Sequence, residues 1–546
     1  MKSKLKYMRH LSIVLLLFIL ELTSVGQSFM LVSQPQLPVL VGKDTNPILK
    51  LIPEKKQAGM SLKEVKIKLK GTDMNDIETL SLFYSANPKE FVIDRQFGST
   101  LPPQSELIFS DHFPISENGF FWLSVKLKSK VNLLHQLAVT DVSIRTLPEG
   151  GGLVMREALN PLRLGVAIRK HNDDGVHTYR IPGLTTTAKG TLLAVYDARR
   201  ESSRDLQGDI DIGLSRSTDG GETWEPMRIA MDRGTWGGLS QKFNGISDPC
   251  ILADPNSGKV YLVALWMHGV LDKEGKWMEG LTESSAAWNH QWREKGSQPG
   301  FGVKETTQFL LTESTDDGLT WTEPLNLTEQ CKQKEWWLFA PAPGHGIVLD
   351  NGTLVFPAQG RSNTGEPFST IMSSTDNGKS WKVGQPASTN TTENMAVQLS
   401  DGSVMLNIRD NRNRQDTSVF NGRAVAVTRD LGQTWKVHPT NHSALIEPVC
   451  MGSIHKHVYT EKGKQKSLLL FVNPNSKIKR EKITLKVSFD DGKTWPKNHQ
   501  ILLDELSGRG YSCITSVDEK TIGIVYESSQ ADLVFQKISL DEILKR

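Results

Sequence analysis

Ser217-Thr218-Asp219-Gly220-Gly221-Glu222-Thr223-Trp224 is the first of five similar octapeptides that occur along this chain. Each copy, called a box below, has the pattern [ST]-x-D-x-G-x-[ST]-W, and the other four begin at Ser314, Ser374, Thr428 and Ser488. A short motif that recurs along a chain indicates that one small structural unit is repeated.

The chemistry of a box predicts a β-hairpin turn. The aspartate can accept hydrogen bonds from backbone N–H groups of the turn, and the glycine can take a positive φ without a steric penalty. The flanking serine or threonine can bond back to the turn, and the tryptophan buries a large ring. The residues before a box alternate as in a strand, for example at 210–215 and 424–428.

The spacing of the boxes predicts the architecture. Successive boxes begin 97, 60, 54 and 60 residues apart. Three of these gaps fit one four-stranded blade with its loops, and the long first gap has room for an insertion or for a blade without a box. Blades around a central axis fit this spacing better than a sandwich does, and the spacing alone allows five to seven of them.

The N-terminus has the pattern of an export signal. Residues 1–26 comprise a basic start, an apolar run at 11–20 and small residues at 24–26. A membrane anchor is the alternative, but the run is short for a span of about 20 residues. We therefore expect cleavage, no membrane span in the mature protein, and a periplasmic, cell-surface or secreted location.

Composition excludes several classes of protein. The chain has 64 Lys and Arg against 61 Asp and Glu, and loss of residues 1–26 would leave equal numbers, so nothing suggests nucleic-acid binding. We expect no metal and no cofactor, because neither an H-E-x-x-H motif nor an EF-hand loop occurs. The cysteines are isolated, which favours buried free thiols and leaves one disulfide open: Cys250, Cys331, Cys450 and Cys513.

Residues 27–150 contain no box but show strand-like alternation, for example at 65–70 and 121–127. This pattern predicts a small β-sandwich. A Pro-Glu-Gly-Gly-Gly run at 148–152 marks the boundary, so the repeat region is expected over 151–546. The sandwich is interpreted either as a carbohydrate-binding module or as a packing domain, with equal weight.

Tyr179-Arg180-Ile181-Pro182, followed by Asp205 and the first box, resembles the start of a bacterial sialidase (neuraminidase). The resemblance extends from about residue 160 to the C-terminus, and the boxes match the Asp boxes of that family. It implies an all-β fold with a six-bladed β-propeller after the N-terminal β-sandwich. The implied activity is an exo-α-sialidase that removes terminal sialic acids from glycoproteins, glycolipids and oligosaccharides.

Sialic acid carries a carboxylate on its anomeric carbon, and arginine is the side chain best suited to hold it. The resemblance implies three such arginines: Arg180, Arg409 and Arg480. It also implies Tyr511 as a nucleophile activated by Glu393, since sialidases are the tyrosine exception among glycosidases. The implied mechanism retains configuration through a covalent sialyl-tyrosine.

The remaining roles implied by the resemblance are supporting ones. Asp205, on a loop, is expected to be the general acid and base, with Asp209 and Asp211 as rivals. Arg199 and Asp248 are expected to contact the sugar, and Glu527 to hold Arg180. A trans-sialidase, an intramolecular trans-sialidase and a non-catalytic sialoglycan-binding propeller remain alternatives.

Overall fold

The computed structural model describes residues 30–53, 59–87, 89–115, 119–148, 150–155, 159–206, 208–237, 241–268, 299–303 and 306–546. The predicted signal peptide, residues 1–26, lies outside these ranges. No helix within them is long and apolar enough to cross a membrane. Their helical content is two short α-helices, α1 (Thr328–Cys331) and α2 (Leu540–Lys545), and five 3-10 turns: Met74–Asp76, Asp173–Gly175, Gln241–Phe243, Asn411–Asn413 and Lys497–His499.

The N-terminal part of the described chain is β-structure. Its strands are β1 (Met30–Ser33), β2 (Val39–Val41), β3 (Asn46–Pro53), β4 (Ser61–Leu69), β5 (Ile77–Ser85), β6 (Arg95–Leu101), β7 (Glu106–Pro114), β8 (Phe120–Leu127), β9 (Gln136–Leu137), β10 (Val139–Leu147) and β11 (Gly150–Met155). One sheet has the order β1-β3-β8-β5-β6 and the other the order β11-β10-β4-β7.

These two sheets pack against each other through apolar side chains. On β4, Val65, Ile67 and Leu69 are buried whereas Lys68 is exposed, which is the alternation the sequence predicts. The Phe113 ring of the second sheet lies 4.7 Å from Tyr84 and 5.2 Å from Phe121 of the first. The strand β11 still pairs with β10, so the second sheet extends to Met155.

The rest of the described chain is also built from strands, which pair mainly antiparallel. They are β12 (Leu162–Arg169), β13 (Thr178–Thr186), β14 (Leu192–Arg199), β15 (Ile210–Ser217), β16 (Arg228–Met231), β17 (Asn244–Ala253), β18 (Val260–His268), β19 (Gln308–Ser314), β20 (Leu325–Asn326), β21 (Leu338–Pro341), β22 (Gly344–His345), β23 (Ile347–Val348), β24 (Leu354–Arg361), β25 (Pro367–Ser374), β26 (Lys382–Val383), β27 (Ser388–Thr389), β28 (Thr391–Gln398), β29 (Val404–Asp410), β30 (Ala424–Thr428), β31 (Lys436–Val437), β32 (Ser453–Glu461), β33 (Lys464–Pro474), β34 (Ile483–Ser488), β35 (Gln500–Asp504), β36 (Ser512–Asp518), β37 (Thr521–Tyr526) and β38 (Leu533–Ser539).

Within the described residues these strands form six four-stranded units. Five units are consecutive in the chain: β13 to β16, β17 to β20, β21 with β24 to β26, β28 to β31, and β32 to β35. The sixth joins β36, β37 and β38 to β12, so its two ends come from opposite ends of the chain. Neighbouring units contact one another in order, through β13 with β17, β17 with β21, β24 with β28, β28 with β32 and β32 with β36, and β36 contacts β13, which closes the set into a ring.

The N-terminal part contributes directly to the closing unit. Strand β2 pairs in parallel with β12, and β9 pairs with the start of β12.

The four cysteines are buried free thiols, as the isolated spacing favoured: Cys250, Cys331, Cys450 and Cys513.

Every box lies in the turn between the third and fourth strand of a unit. In the second box, Asp316 Oδ1 accepts the Thr320 N–H at 2.9 Å and the Ser314 hydroxyl at 2.8 Å, and the Gly318 N–H donates to Ser314 Oγ at 2.9 Å. Gly318 has φ +79°. The turn chemistry predicted from the octapeptide is therefore confirmed.

The long gap between the first two boxes is an insertion. The units that carry these boxes, β13 to β16 and β17 to β20, follow each other in the described chain, which has no unit without a box between them. The extra length falls between Val260–His268 and Gln308–Ser314, where residues 269–298 lie outside the described ranges.

The boxes also show which end of the ring holds the predicted site. A third strand runs parallel to the first strand of its unit, so a box after the third strand lies at the end opposite to where the first strands begin. Arg180 and Glu393 lie near the starts of β13 and β28, and Tyr511 immediately precedes β36. The predicted site residues and the boxes therefore occupy opposite ends of the ring.

We expect Asp316→Ala to lower the melting temperature without changing kcat. Hydrogen bonds from Thr320 and Ser314 lower the pKa of Asp316 to about 2, so its contribution is present above an unfolded-state pKa of about 4 and is lost as pH falls towards about 2. Loss of about 1 kcal/mol of hydrogen bonding corresponds to about 1 °C in a repeat region of about 400 residues, since the unfolding entropy is about 2 cal/mol/K per residue. Thermal unfolding at pH 7 and at pH 3 measures this, with Asp44→Ala, 90% exposed, as control. An equal shift at both pH values would contradict the role of the carboxylate.

Candidate active site

The centre of the candidate site is Tyr511, the residue immediately before β36. Its side chain is 6% exposed, and its hydroxyl donates a short hydrogen bond to Glu393 Oε1. Arg409 Nη1 donates to the same hydroxyl at 2.9 Å and to Glu393 Oε2 at 2.5 Å. A phenol, a carboxylate and a guanidinium therefore form one hydrogen-bonded unit.

Burial, with the Glu393 carboxylate beside it, raises the pKa of the Tyr511 phenol well above its usual value, although Arg409 and Arg480 act in the opposite direction. The phenol is therefore neutral at pH 7 and reaches its anionic form only if a base takes its proton. Glu393 is placed to be that base, since it already accepts the hydrogen bond.

Two further guanidinium groups flank the tyrosine ring. Arg180 and Arg480 each place Cζ 5.4 Å from the ring centroid of Tyr511. The Arg480 side chain is fixed by backbone carbonyls, with Nη1 on Arg509 O at 3.0 Å and Nη2 on Val449 O at 3.3 Å. The three predicted arginines therefore lie around the side chain of Tyr511, Arg409 at its hydroxyl and the other two beside its ring.

The close approach of Tyr511 to Arg480 depends on Gly510. This residue has φ +91°, and a Cβ there would lie 3.0 Å from Pro474 and 3.1 Å from both Arg480 Cβ and Cys450 Sγ. A side chain would push the strand away from Arg480, and the left-handed backbone would be strained as well.

Glu527, 1% exposed, ties Arg180 to the tyrosine. Its Oε1 accepts Arg180 Nε at 2.5 Å and the Ile181 N–H at 2.9 Å, and its Oε2 accepts the Tyr511 N–H at 3.0 Å. Burial would raise the pKa of Glu527, but Arg180 and the two backbone N–H groups lower it overall, so it stays a carboxylate.

The strand β13 is irregular where Arg180 projects from it. Ile181 has φ +58°, an uncommon value for a β-branched residue, and the register shifts between Arg180 and Gly183. Such a residue costs about 1–3 kcal/mol and persists where the surroundings hold it. The hydrogen bond from the Ile181 N–H to Glu527 is one such restraint.

We expect Glu527→Gln to lower kcat/KM by about 10- to 100-fold, because hydrogen bonds to charged groups contribute about 1.5–3 kcal/mol. An amide has only one acceptor oxygen for the three donors that now share two. Steady-state kinetics on a sialoside, the substrate that the sequence resemblance implies, measures the effect. The control is Glu225→Gln, which removes a carboxylate 2.6 Å from Arg216; these two residues flank the first box. Equal effects of both substitutions would contradict a specific role for Glu527.

The second half of the site is built on Arg199, which is 1% exposed at the end of β14. Its Nη2 donates to Asp205 Oδ1 at 2.5 Å and to Asp197 Oδ2 at 2.8 Å. Asp205 itself is 67% exposed on the loop before β15. Its charge acts on Arg180 and on Asp248, so this loop faces the arginine cluster.

Asp248 lies beside this group on β17, with φ +57° and 9% exposure. Asp197 Oδ1 accepts its N–H at 3.1 Å. Burial, and then the charges of Asp205, Asp197 and Glu393, raise the pKa of Asp248 well above its usual value. A protonated Asp248 can donate as well as accept a hydrogen bond to a polar ligand.

All nine predicted site residues therefore gather at one end of the ring, although their chemical roles stay predictions. The sequence reasoning missed Asp197, which is fully buried and accepts hydrogen bonds from Arg199, from the Ser247 hydroxyl and from the Asp248 N–H. Its position two residues before Arg199, on the same face of β14, is a signal that could have found it.

The rival acids for Asp205 are placed differently. Asp211 is 1% exposed at the start of β15 and accepts Arg200 at 2.5 Å, so it serves that ion pair. Asp209 accepts Gln241 at 3.4 Å. Neither contacts Arg199 in the described part of the chain, whereas Asp205 does.

Comparison with known proteins places this geometry in a family. Residues 190–524 match the family described as BNR repeat-like domain, and residues 27–106 match the N-terminal domain of BNR-repeat neuraminidase. A sialidase of Bacteroides fragilis is 37% identical over 544 residues, covering 94% of this chain and 95% of that protein. A sialidase of Micromonospora viridifaciens is 30% identical over 376 residues, covering 65% of this chain and 50% of that protein.

Two solved structures of sialidases are also similar to this chain. The Hadza microbial sialidase Hz136 superposes with a TM-score of 0.82 at 36% identity, covering 94% of this chain and 99% of that chain. A sialidase of Trypanosoma rangeli superposes with a TM-score of 0.52 at 21% identity, covering 70% of this chain and 60% of that chain, and supports the fold alone.

Proposed function

This chain belongs to the family of BNR-repeat sialidases and is a glycoside hydrolase of that class, and we propose that it cleaves terminal α-linked sialic acids with retention, through a covalent intermediate on Tyr511. The substrates would be glycoproteins, glycolipids and oligosaccharides. The observation that carries the proposal is the contact of the buried Tyr511 hydroxyl with Glu393 and Arg409.

A tyrosine nucleophile suits a substrate that is already anionic at the reacting carbon. A carboxylate nucleophile would be repelled by the substrate carboxylate, whereas a neutral phenol is not. Glu393 would accept the phenolic proton as the oxygen attacks the anomeric carbon, so the attacking charge develops only in the transition state. Arg409 holds both partners in line.

The arginines would hold the substrate carboxylate. Among the described residues, Arg180 uses only Nε, on Glu527, so both of its Nη nitrogens are open to a ligand in the geometry that favours a bidentate carboxylate. Arg409 contacts Glu393 and Tyr511 through Nη1, and its Nη2 has no partner within the described part of the chain. Arg480, with Cζ 5.4 Å from the centroid of the Tyr511 ring, completes the cluster.

Asp205 would protonate the glycosidic oxygen in the first step and activate water in the second. An exposed residue on a loop can approach a bound substrate and withdraw after cleavage. Arg199, which now pairs with Asp205, and Asp248 would contact the sugar on this side. The proposed steps use these side chains and one water molecule, and no step calls for a metal ion or a cofactor.

The fold and the location belong to the same proposal. We infer that the six units are the blades of a six-bladed β-propeller and that the two N-terminal sheets form a β-sandwich; the support is the closed ring of contacts. The pairing of Gly150–Met155 within the second sheet argues for a boundary just after residue 155 instead of at 150. Cleavage after residue 26 and export stay predictions.

Product analysis separates this reaction from its alternatives. We expect free sialic acid whose first-formed anomer is α, seen by NMR before it equilibrates. A first-formed β anomer would contradict retention, and a sialylated acceptor or an anhydro-sugar in mass spectra would indicate a trans-sialidase or an intramolecular trans-sialidase. Binding of sialoglycans without any cleavage would favour the non-catalytic propeller.

A further inference from the structure

Behind the arginine cluster lies an ion pair whose two side chains are fully buried. Arg423, just before β30, and Glu447, between β31 and β32, are both 0% exposed, and Arg423 Nη1 lies 2.5 Å from Glu447 Oε2. Taking two charges out of water costs free energy that their attraction does not reliably recover. A buried pair of this kind is therefore weak evidence for stability, and its position suggests another use.

Glu447 holds the end of the strand from which Arg409 projects. Its Oε1 accepts the N–H of Asp410, the residue after Arg409, at 2.7 Å, and Asn413 Nδ2 at 2.6 Å. The backbone N–H of Glu447 donates to Asn421 Oδ1 at 3.0 Å. The segment between β29 and β30 is thus fixed to Glu447 near both of its ends, at Asp410 and at Asn421.

Arg423 holds the other side of the same strand and the segment beneath Arg480. Its Nε donates to Asn407 Oδ1 at 2.7 Å, two residues before Arg409, and its Nη1 donates to Cys450 O at 2.7 Å. The neighbouring carbonyl, that of Val449, accepts Arg480 Nη2 at 3.3 Å. Val449 has φ +52°, an uncommon conformation that needs a restraint of this kind.

We propose that Arg423 and Glu447 form a positioning pair for two of the three carboxylate-binding arginines, Arg409 and Arg480. Glu527 does the same for the third, Arg180. Each arginine is then fixed by a buried group that does not touch substrate. This inference rests on the proposed function, because it presumes that the arginines bind the substrate carboxylate.

The proposal predicts which kinetic constant changes. The arginines would contact the carboxylate in the bound substrate and in the transition state, so their displacement should weaken binding and raise KM. Because Arg409 also touches Tyr511, a smaller fall in kcat should accompany it. A pair that served folding alone would lower the melting temperature and the active fraction but leave KM unchanged.

The experiment compares Glu447→Gln and Arg423→Lys with Glu542→Gln and Arg163→Lys. The control pair, Arg163 and Glu542, joins the start of β12 to α2 at the end of the chain and contacts none of the proposed site residues. KM and kcat are measured on a fluorogenic sialoside well below the melting temperature, and the Kd of free N-acetylneuraminic acid by calorimetry. We expect at least a tenfold rise in KM and Kd for Glu447→Gln, a smaller rise for Arg423→Lys, which keeps the charge, and changes within twofold for the controls.

Unchanged KM and Kd in the folded variants would overturn the proposal, and so would failure of both variants to fold while the controls fold, since the pair would then serve folding. Arg409→Met tests the underlying function separately. If Arg409→Met leaves KM unchanged, the assignment of the carboxylate site is wrong; if it raises KM whereas Glu447→Gln does not, only the positioning pair is wrong.

Discussion

Tyr511→Phe is expected to lower kcat by about 10⁴-fold or more while the protein stays folded. Phenylalanine keeps the ring beside Arg180 and Arg480, whose Cζ atoms lie 5.4 Å from the Tyr511 ring centroid, but it lacks the oxygen that would form the covalent bond. In a hydrolase whose nucleophile is likewise activated by a neighbouring base, removal of the nucleophile lowers kcat by about 10⁶-fold, and substrate binding and electrostatic stabilisation supply the remaining rate. The loss should fall on kcat, because the arginines remain to bind substrate.

A matched control is Tyr261→Phe. Tyr261 is also buried, and its hydroxyl donates to the Asn377 carbonyl at 3.0 Å in the third box, so this change removes a hydrogen bond without touching the site. A fluorinated sialoside that traps glycosyl-enzymes provides a second readout by mass spectrometry. Wild type should carry the label on the peptide that contains Tyr511. A label elsewhere, or wild-type turnover by Tyr511→Phe, would contradict the mechanism.

The parts of the fold that could be predicted are those that depend on contacts between residues close together in the sequence. A box fixes a turn through contacts within eight residues, such as Asp316 with Thr320 and Ser314, and the same signal recurs in each copy. The closing unit could not be predicted in this way, because β12 pairs with β38 over about 370 residues. The parallel pairing of β2 with β12 leaves no local pattern either.

The same distinction between local sequence patterns and distant contacts applies to the residues of the candidate site. Residues within a distinctive motif, such as Arg180 and Tyr511, could be found from the order of matches along the chain. Asp197 could have been found from its position two residues before Arg199, but the buried supports Arg423 and Glu447 could not, since an isolated Arg or Glu in a sequence gives no sign of being fully buried. Their importance arises from the tertiary contacts alone.

Asp205→Ala is expected to lower kcat about 10²- to 10⁴-fold on a natural glycoside, the range for loss of general acid catalysis. A nitrophenyl sialoside, whose leaving group departs without a proton, should lose far less in the first step. The second step still needs the base, so the covalent intermediate should accumulate and nitrophenol should appear as a burst equal to the enzyme present.

Asp209→Ala is the control that separates the two acids, because Asp209 lies on the same loop but contacts Gln241 instead of Arg199. It should leave both substrates close to wild-type rates. The removal of Asp205 also frees Arg199, whose remaining carboxylate partner, Asp197, is fully buried, so substrate binding should be preserved. The fall in kcat of Asp205→Ala on the natural glycoside is compared with its fall on the nitrophenyl sialoside. A larger fall on the natural glycoside, together with the burst of nitrophenol, assigns acid and base catalysis to Asp205. An equal fall on both substrates would mean that Asp205 acts only through Arg199.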